Sequence, residues 1–379
     1  MTTLDEIKSA LARPFEEARA LPFSAYTSPE LYELERQNLI QREWLPMCPA
    51  GALPDPGDYF AVDLAGEPVM VIRGDDGELR ALSNVCRHRG TPLAEEGYGN
   101  TRTFVCAFHA WSYDTAGKLL AVPHPGTAKI DKAAHCLPQF KLEVWRNMVF
   151  INLDPNAQSL RKSFDLDGLE AVMAAYGADQ GEMSNEKQKY HDWNSNWKLA
   201  AENSIESYHL FQLHRTTIDP TMPTRDTVNV AGSPRWTVNA GVLDGDYERK
   251  HWLLCAIHPF WVVVIQPPPR GESGPDTWAW QAQVPGATPT TCKVNGGSVY
   301  IPKTGLEVEV KDEGEEDVYN FFFEDKVQCE LQQRAMHAQR TQGGSYVELE
   351  RILVDFYNHM AWRVFDCEPE KAWTAVQPG

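Results

Sequence analysis

The chain has 379 residues, 42% of them hydrophobic and 11% aromatic, enough for two or three packed domains. Its formal net charge of −18 excludes the basic footprint of a nucleic-acid binder and gives no attraction to an anionic membrane surface. The eight cysteines, Cys48, Cys86, Cys106, Cys136, Cys255, Cys292, Cys329 and Cys367, are scattered through the chain, unlike the dense framework of a small secreted domain.

The first twenty residues are mixed in charge and lack the apolar core of a secretion signal. The longest apolar runs, such as "FWVVVI" at 260–265, are too short to span a bilayer. The expectation is a soluble, cytoplasmic protein without nucleic-acid or membrane partners.

Residues 1–45 read as helices packing on the larger domain at 156–379. From Asp58 the texture changes to short β runs: "YFAVDL", "PVMVIR", "LRALSNV", "TFVC", "WSYD", "KLLAV", "FKLEVW" and "MVFINL". "GDDGE" at 74–78, "DTAG" and "RN" supply turns. Residues 46–155 thus form a small all-β domain, and 154–168 reads as the link out of it. The rest, 156–379, reads as a second domain: a helix-rich stretch to about 217, an antiparallel sheet over 227–301, an acidic segment at 307–317 and a helical C-terminus. The fold class is α+β. No G-x-G-x-x-G or Walker-type loop is present, so the chain shows no dinucleotide site of its own.

Within the β domain, "CRHRG" and "CAFH" place Cys86, His88, Cys106 and His109 on two loops. Structural zinc takes two cysteines and two histidines, but zinc fingers pair like ligands in each half. Here each loop offers one thiol and one imidazole. A Rieske [2Fe-2S] cluster needs that supply, with two cysteines on one iron and two histidines on the other. "CRHRG…CAFHAWSYDTAGKL" resembles the signature of the Rieske non-haem iron oxygenases, the ring-hydroxylating and dealkylating family. Those enzymes often read Cys-Pro-Tyr-His-Gly-Trp, where this chain has Cys106-Ala107-Phe108-His109-Ala110-Trp111.

The resemblance implies a second iron. "NWKLAAENSIESYHLFQLH" contains Glu202, Asn203, Glu206, His209 and His214. Two imidazoles and a carboxylate form the non-haem Fe(II) triad. His209 and His214 are five residues apart, about 140° on an ideal helix, so a helix must bulge or end between them. Glu206 precedes His209 by three residues, on the same helical face. A surface helix with scattered His and Glu is the bland alternative. In the family the third ligand is a downstream aspartate, and Asp325 in "FFFEDKVQCELQQ" matches it, with Glu324 as runner-up. The resemblance makes Glu206 the bridge from His209 to the cluster histidine, here His109, of a neighbouring subunit. Its alternative is a plain surface acid. Asn203 either approaches the iron's open side or serves the helix.

The family implies further partners: an NAD(P)H-dependent reductase, with or without a ferredoxin, O2 and a homotrimer. The implied activity is hydroxylation or O/N-dealkylation of a small organic substrate, aromatic in preference to a quaternary ammonium compound. Trp236, Trp252, Trp261, Trp278 and Trp280 are candidates for an aromatic pocket or a cation–π cage, or else sheet core. The rival classes are a zinc-stapled binding module and a pure electron carrier.

Overall fold

The structure is a computed structural model, and it describes residues 2–247, 249–271, 275–297 and 321–375. The sequence's acidic segment at 307–317 lies outside the described residues. Two compact units partition the chain, Ile40–Leu160 with Ser184–Tyr190, and Met1–Leu39 with Arg161–Met183 and His191–Gly379.

The first unit is built of strands β1 (Leu45–Pro49), β2 (Asp58–Leu64), β3 (Glu67–Arg73), β4 (Leu79–Ser83), β5 (Gly97–Asn100), β6 (Thr103–Val105), β7 (Ser112–Asp114), β8 (Leu119–Ala121), β9 (Gln139–Trp145) and β10 (Met148–Asn152). Seven form one antiparallel sheet in the order β1-β10-β9-β4-β3-β2-β5, and β6-β7-β8 form a second. β1 and β5 were not read from sequence. β1 carries two prolines and β5 two glycines, residues that weaken a strand signal. The "RN" turn adopts positive φ at both Arg146 (48°) and Asn147 (67°), the backbone a two-residue hairpin with right-handed twist requires. Cys86 and Cys106 lie in a single buried cluster with Met70, Leu82, Phe104, Trp111 and Tyr113, which fixes both loop bases to the β core.

The second unit contains helices α1 (Thr3–Leu11), α2 (Pro29–Glu35), α4 (Leu166–Ala175), α5 (Trp197–Ile205), α6 (Phe321–Ala335) and α7 (Arg351–Phe365), numbered after the short α3 (Leu160–Ser163). Its antiparallel strands are β11 (His191–Trp193), β12 (Thr227–Gly232), β13 (Trp236–Val242), β14 (His251–Ile257), β15 (Trp261–Gln266), β16 (Thr277–Pro285), β17 (Cys292–Gly297) and β18 (Trp373–Thr374). They order as β11-β17-β16-β15-β14-β13-β12-β18. α5 is capped by Asn196, whose side chain accepts from the Lys198 N–H at 2.9 Å. α5 is pinned to α2 by the buried Lys198–Glu35 pair at 2.7 Å, with the Trp197 indole donating to the other Glu35 oxygen at 2.8 Å.

Residues directly paired across an antiparallel ladder share a face. Three rows mark one face: Thr237, Ala256, Val262, Gln281 and Gly296; then Asn239, Leu254, Val264 and Ala279; then Gly241 with Trp252, and Gln266 with Thr277. α5 and α7 lie over this face. Ser204 of α5 donates to Gln283 Oε1 at 3.4 Å, and Thr237 donates to Asp355 of α7 at 3.0 Å. The opposite face carries Trp236, Trp261, Trp278 and Trp280. The Trp236 and Trp278 indoles donate to the Asp165 and Gln180 carbonyls, in the segment that holds α4. Four of the five candidate tryptophans are therefore sheet core turned away from α5 and α7. Trp252 alone lies on the helix face, over Gly241, where a Cβ would come within 2.4 Å of its ring.

Candidate metal centres

The two loops of the first unit have one backbone design. In each, the cysteine N–H donates to the carbonyl five residues on, Cys86 to Thr91 at 2.9 Å and Cys106 to Trp111 at 2.8 Å. In each, the residue four on donates back to the cysteine carbonyl, Gly90 at 3.0 Å and Ala110 at 2.9 Å. That residue has positive φ in both, 81° for Gly90 and 54° for Ala110. The thiols end up buried and the imidazoles of His88 and His109 exposed.

The mixed pairs of the sequence sort into like pairs in space. The Cys86 and Cys106 side chains lie together in the same buried cluster. The His88 and His109 rings meet with centroids 4.6 Å apart. Burial raises the Cys106 pKa, but the N–H groups of Phe108 and His109 and hydrogen bonds from Cys86 and Thr91 bring it below its ordinary value. A site that favours thiolate suits metal ligation. His88 stacks on Trp111 at 4.8 Å, which holds its ring. One contributor escaped sequence reading. Tyr113 approaches Cys86 Sγ with its hydroxyl at 3.5 Å and accepts the Arg87 N–H at 3.0 Å. Its only signal was the polar tip of a buried strand residue.

In the second unit, one potential ligand atom from each of His209, His214 and Asp325 lies within 4.8 Å of the others. His214 Nε2 and Asp325 Oδ1 are 2.8 Å apart, and His209 Nε2 is 3.9 Å from the same oxygen. The helical expectation for Glu206 and His209 is corrected. α5 ends at Ile205, and Glu206 is extended, φ −105° and ψ 156°. The Glu206 carboxylate accepts the Tyr208 and His209 backbone N–H groups, so it caps a turn where a helix would otherwise continue. Its other oxygen contacts His209 Nδ1 at 2.5 Å. Turns then carry the chain to His214, whose carbonyl accepts from Thr217, Ile218 and Asp219. The end of the helix lets two histidines five apart face one point.

Glu324 stands outside the three-residue group. It contacts His214 Nδ1 at 2.7 Å and accepts from Thr217 Oγ1 at 3.0 Å. Each imidazole therefore has a carboxylate at Nδ1, Glu206 for His209 and Glu324 for His214, leaving both Nε2 atoms toward Asp325. Outer carboxylates of this kind fix ring orientation and raise basicity. Burial lowers the His209 pKa, but Glu206 and Asp325 outweigh it and the net shift is upward. The adjacent "ED" pair was visible in sequence; its division of labour was not. Asn203 has its Nδ2 buried without a partner among the described residues.

Two protein families match. The Rieske [2Fe-2S] domain covers residues 43–141, and the ring hydroxylating alpha subunit (catalytic domain) covers residues 181–252. The chain joins a Rieske domain to a ring-hydroxylating alpha subunit domain, and its homologues are Rieske oxygenase large subunits. Among relatives, the anthranilate 1,2-dioxygenase large subunit of Acinetobacter baylyi is 32% identical over 224 residues, 58% of this chain and 47% of that protein. The carnitine monooxygenase oxygenase subunit of Escherichia coli is 28% identical over 252 residues, 65% of this chain and 66% of that protein. The chain spans about half the length of the first and two thirds of the second. In fold it is similar to a quaternary ammonium Rieske monooxygenase, with a TM-score of 0.74, 21% identity and coverage of 94% of this chain and 98% of the other.

A Rieske domain binds a [2Fe-2S] cluster, and ring-hydroxylating alpha subunits carry a mononuclear iron in the catalytic domain. Both donor sets fit. Paired thiols opposite paired imidazoles suit two irons, and two Nε2 atoms with one carboxylate suit a single iron. Rieske oxygenases work with a reductase and electron carriers and oligomerise. Among the described residues, no helix is long and apolar enough to cross a membrane.

Proposed function

We propose that the chain is the oxygenase subunit of a system that draws electrons from NAD(P)H through a separate reductase, with or without a ferredoxin. It uses O2 to hydroxylate or O/N-dealkylate a small aromatic substrate. The observation that carries this reading is the presence of two donor sets of different chemistry in one chain: Cys86, Cys106, His88 and His109 in one unit, and His209, His214 and Asp325 in the other. A zinc-stapled module or a pure electron carrier needs only the first.

Cys86 and Cys106 would hold one iron of the cluster and His88 and His109 the other, with Tyr113 beside the Cys86 sulfur. His209, His214 and Asp325 would hold the mononuclear iron. When bound, the cluster stores and passes single electrons and the mononuclear iron supplies O2 activation. Glu206 and Glu324 keep protons on the Nδ1 atoms, so Nε2 is the free nitrogen on each ring. Exposed His109 is the proposed exit for an electron toward Glu206 of a neighbouring copy in a homotrimer. The proposed domain division is 1–45, 46–155 and 156–379, and the proposed location is the cytoplasm.

The second reading, oxidation of a quaternary ammonium compound, is supported by the carnitine monooxygenase relative and the fold match. A test under ¹⁸O₂ with a generic NADH reductase compares an aromatic panel with carnitine and glycine betaine. Label is expected in an aromatic product, and label only in the amine set overturns the substrate class. His209→Ala and Asp325→Ala should keep the cluster's visible spectrum and abolish oxygenation. Turnover retained in either removes that residue from the iron site.

A further inference from the structure

The sheet face beneath α5 carries buried amides where a packed core would be apolar. Among the described residues, Asn239 Nδ2 and Oδ1, Gln266 Oε1, Gln281 Nε2, Gln283 Nε2 and Trp252 Nε1 have no hydrogen-bond partner, nor has Asn203 Nδ2 near the end of α5. An unpaired buried polar group is destabilising, and native interiors keep few of them. Their gathering on one face points to a ligand that pairs them.

The position of that face relative to the candidate iron residues is fixed at two ends. Ser204 holds α5 to Gln283. At the other end, Gln266 Nε2 donates to Met222 Sδ at 2.9 Å, which ties down the segment that carries His209 and His214. Between these anchors the rows of paired residues give an apolar strip, Leu254, Val262, Val264 and Ala279. The same rows contain no charged side chain. The nearest cation on α5, Lys198, is locked to Glu35 at 2.7 Å.

The unpaired atoms comprise five N–H donors, on Asn203, Asn239, Gln281, Gln283 and Trp252, against two carbonyl acceptors, on Asn239 and Gln266. The rows themselves are donor-rich and uncharged, and the Asp355 carboxyl against them already accepts from Thr237, so neutral oxygens satisfy the remaining donors. A carboxylate would be buried there without a counter-charge. A quaternary ammonium ion would leave every donor unpaired and would meet a single indole in place of an aromatic cage.

We propose that this face selects a substrate with an apolar aromatic skeleton bearing carbonyl, ether or hydroxyl oxygens, seated on the Leu254–Val264–Ala279 strip with its oxygens toward Asn239 and Gln281. The inference rests on the oxygenase reading and names its substrate class. Anaerobic calorimetry on the full, cluster-loaded chain tests it, with acetophenone and anisole set against ethylbenzene and choline. The two oxygenated probes are expected to bind on the order of tenfold more tightly than ethylbenzene, as one or two recovered hydrogen bonds dictate. Gln281→Met and Asn239→Leu should bring that ratio toward one with little change for ethylbenzene.

Equal affinities for acetophenone and ethylbenzene in the unaltered protein, or tightest binding of choline, overturn the proposal. So does a ratio that survives both substitutions. Should either variant fail to show a cooperative melt, Trp252→Phe, which removes another unpaired donor on the same face, carries the same comparison, and the unaltered protein's ratio decides independently. Binding is read without turnover, so the two failures separate. ¹⁸O incorporation without oxygen selectivity sinks this inference alone, and selectivity without incorporation sinks the oxygenase reading alone.

Discussion

Ala110 occupies a backbone conformation that its Cβ disfavours. At φ 54° it closes the second cluster loop with the same hydrogen bond that Gly90, at φ 81°, makes in the first. An L-residue in the left-handed region is strained by ~1–2 kcal/mol, part of which glycine returns through its freer unfolded chain. Ala110→Gly is therefore expected to stabilise the first unit by about 0.5–1 kcal/mol, read as a higher denaturant midpoint for loss of the cluster absorbance. An unchanged or lower midpoint would mean that the Ala110 methyl makes contacts worth more than the strain. At the second centre the same attention to single atoms separates neighbours in sequence. Asp325 joins the two Nε2 atoms, while Glu324 stands behind His214 at Nδ1. An acidic pair in sequence carries no sign of that difference, because it depends on which way each side chain leaves the first turn of α6.

At the level of the elements, α7 lies on the sheet through Asp355, which accepts from Thr237 and is 6% exposed. Burial pushes its pKa up to about 7; Arg351 and Thr237 oppose the rise, and Glu370 adds to it. The folded carboxyl holds its proton to higher pH than the unfolded one, so the unfolded chain gains first as pH rises from about 4 to 7. Stability contributed at this position falls across that window and levels off above it, by at most about 4 kcal/mol. Asp355→Asn is expected to remove this slope, so urea unfolding should show the variant gaining on the unaltered protein between pH 4 and pH 8. Parallel profiles would contradict the burial of this carboxyl.

Most of the strands of the first unit follow from alternation and turn residues, because hairpins are local. The proposed cluster ligands follow from spacing within two loops. Less of the second unit could be read that way. The end of α5 at Ile205 depends on Glu206 capping the next turn, a contact that helical periodicity does not encode. Which face the tryptophans take depends on strand register and on what covers each side. The run "WAWQAQVP" does show Trp278 and Trp280 alternating with Gln281 and Gln283 across a change of phase, but not which set faces α5.

For the whole molecule, the proposed route of the electron is a claim about assembly: His109 of one copy serves Glu206 and His209 of the next. A head-to-tail ring of three makes this testable by complementation. One variant, Cys86→Ser, would lose the cluster and keep the iron residues. The other, Asp325→Ala, would keep the cluster and lose the iron. Each alone is expected to be inactive. Co-expressed and assembled at random in equal amounts, they place an intact cluster ahead of an intact iron site in roughly a quarter of all positions. Activity should therefore return to about that fraction of the unaltered protein, and it should appear only after co-expression or subunit exchange. If the electron passed within one chain, no mixed assembly would contain a chain with both centres, and activity would stay absent however the variants were combined. Recovered activity with a monomeric sedimentation coefficient would exclude the ring and leave only transient contact between copies.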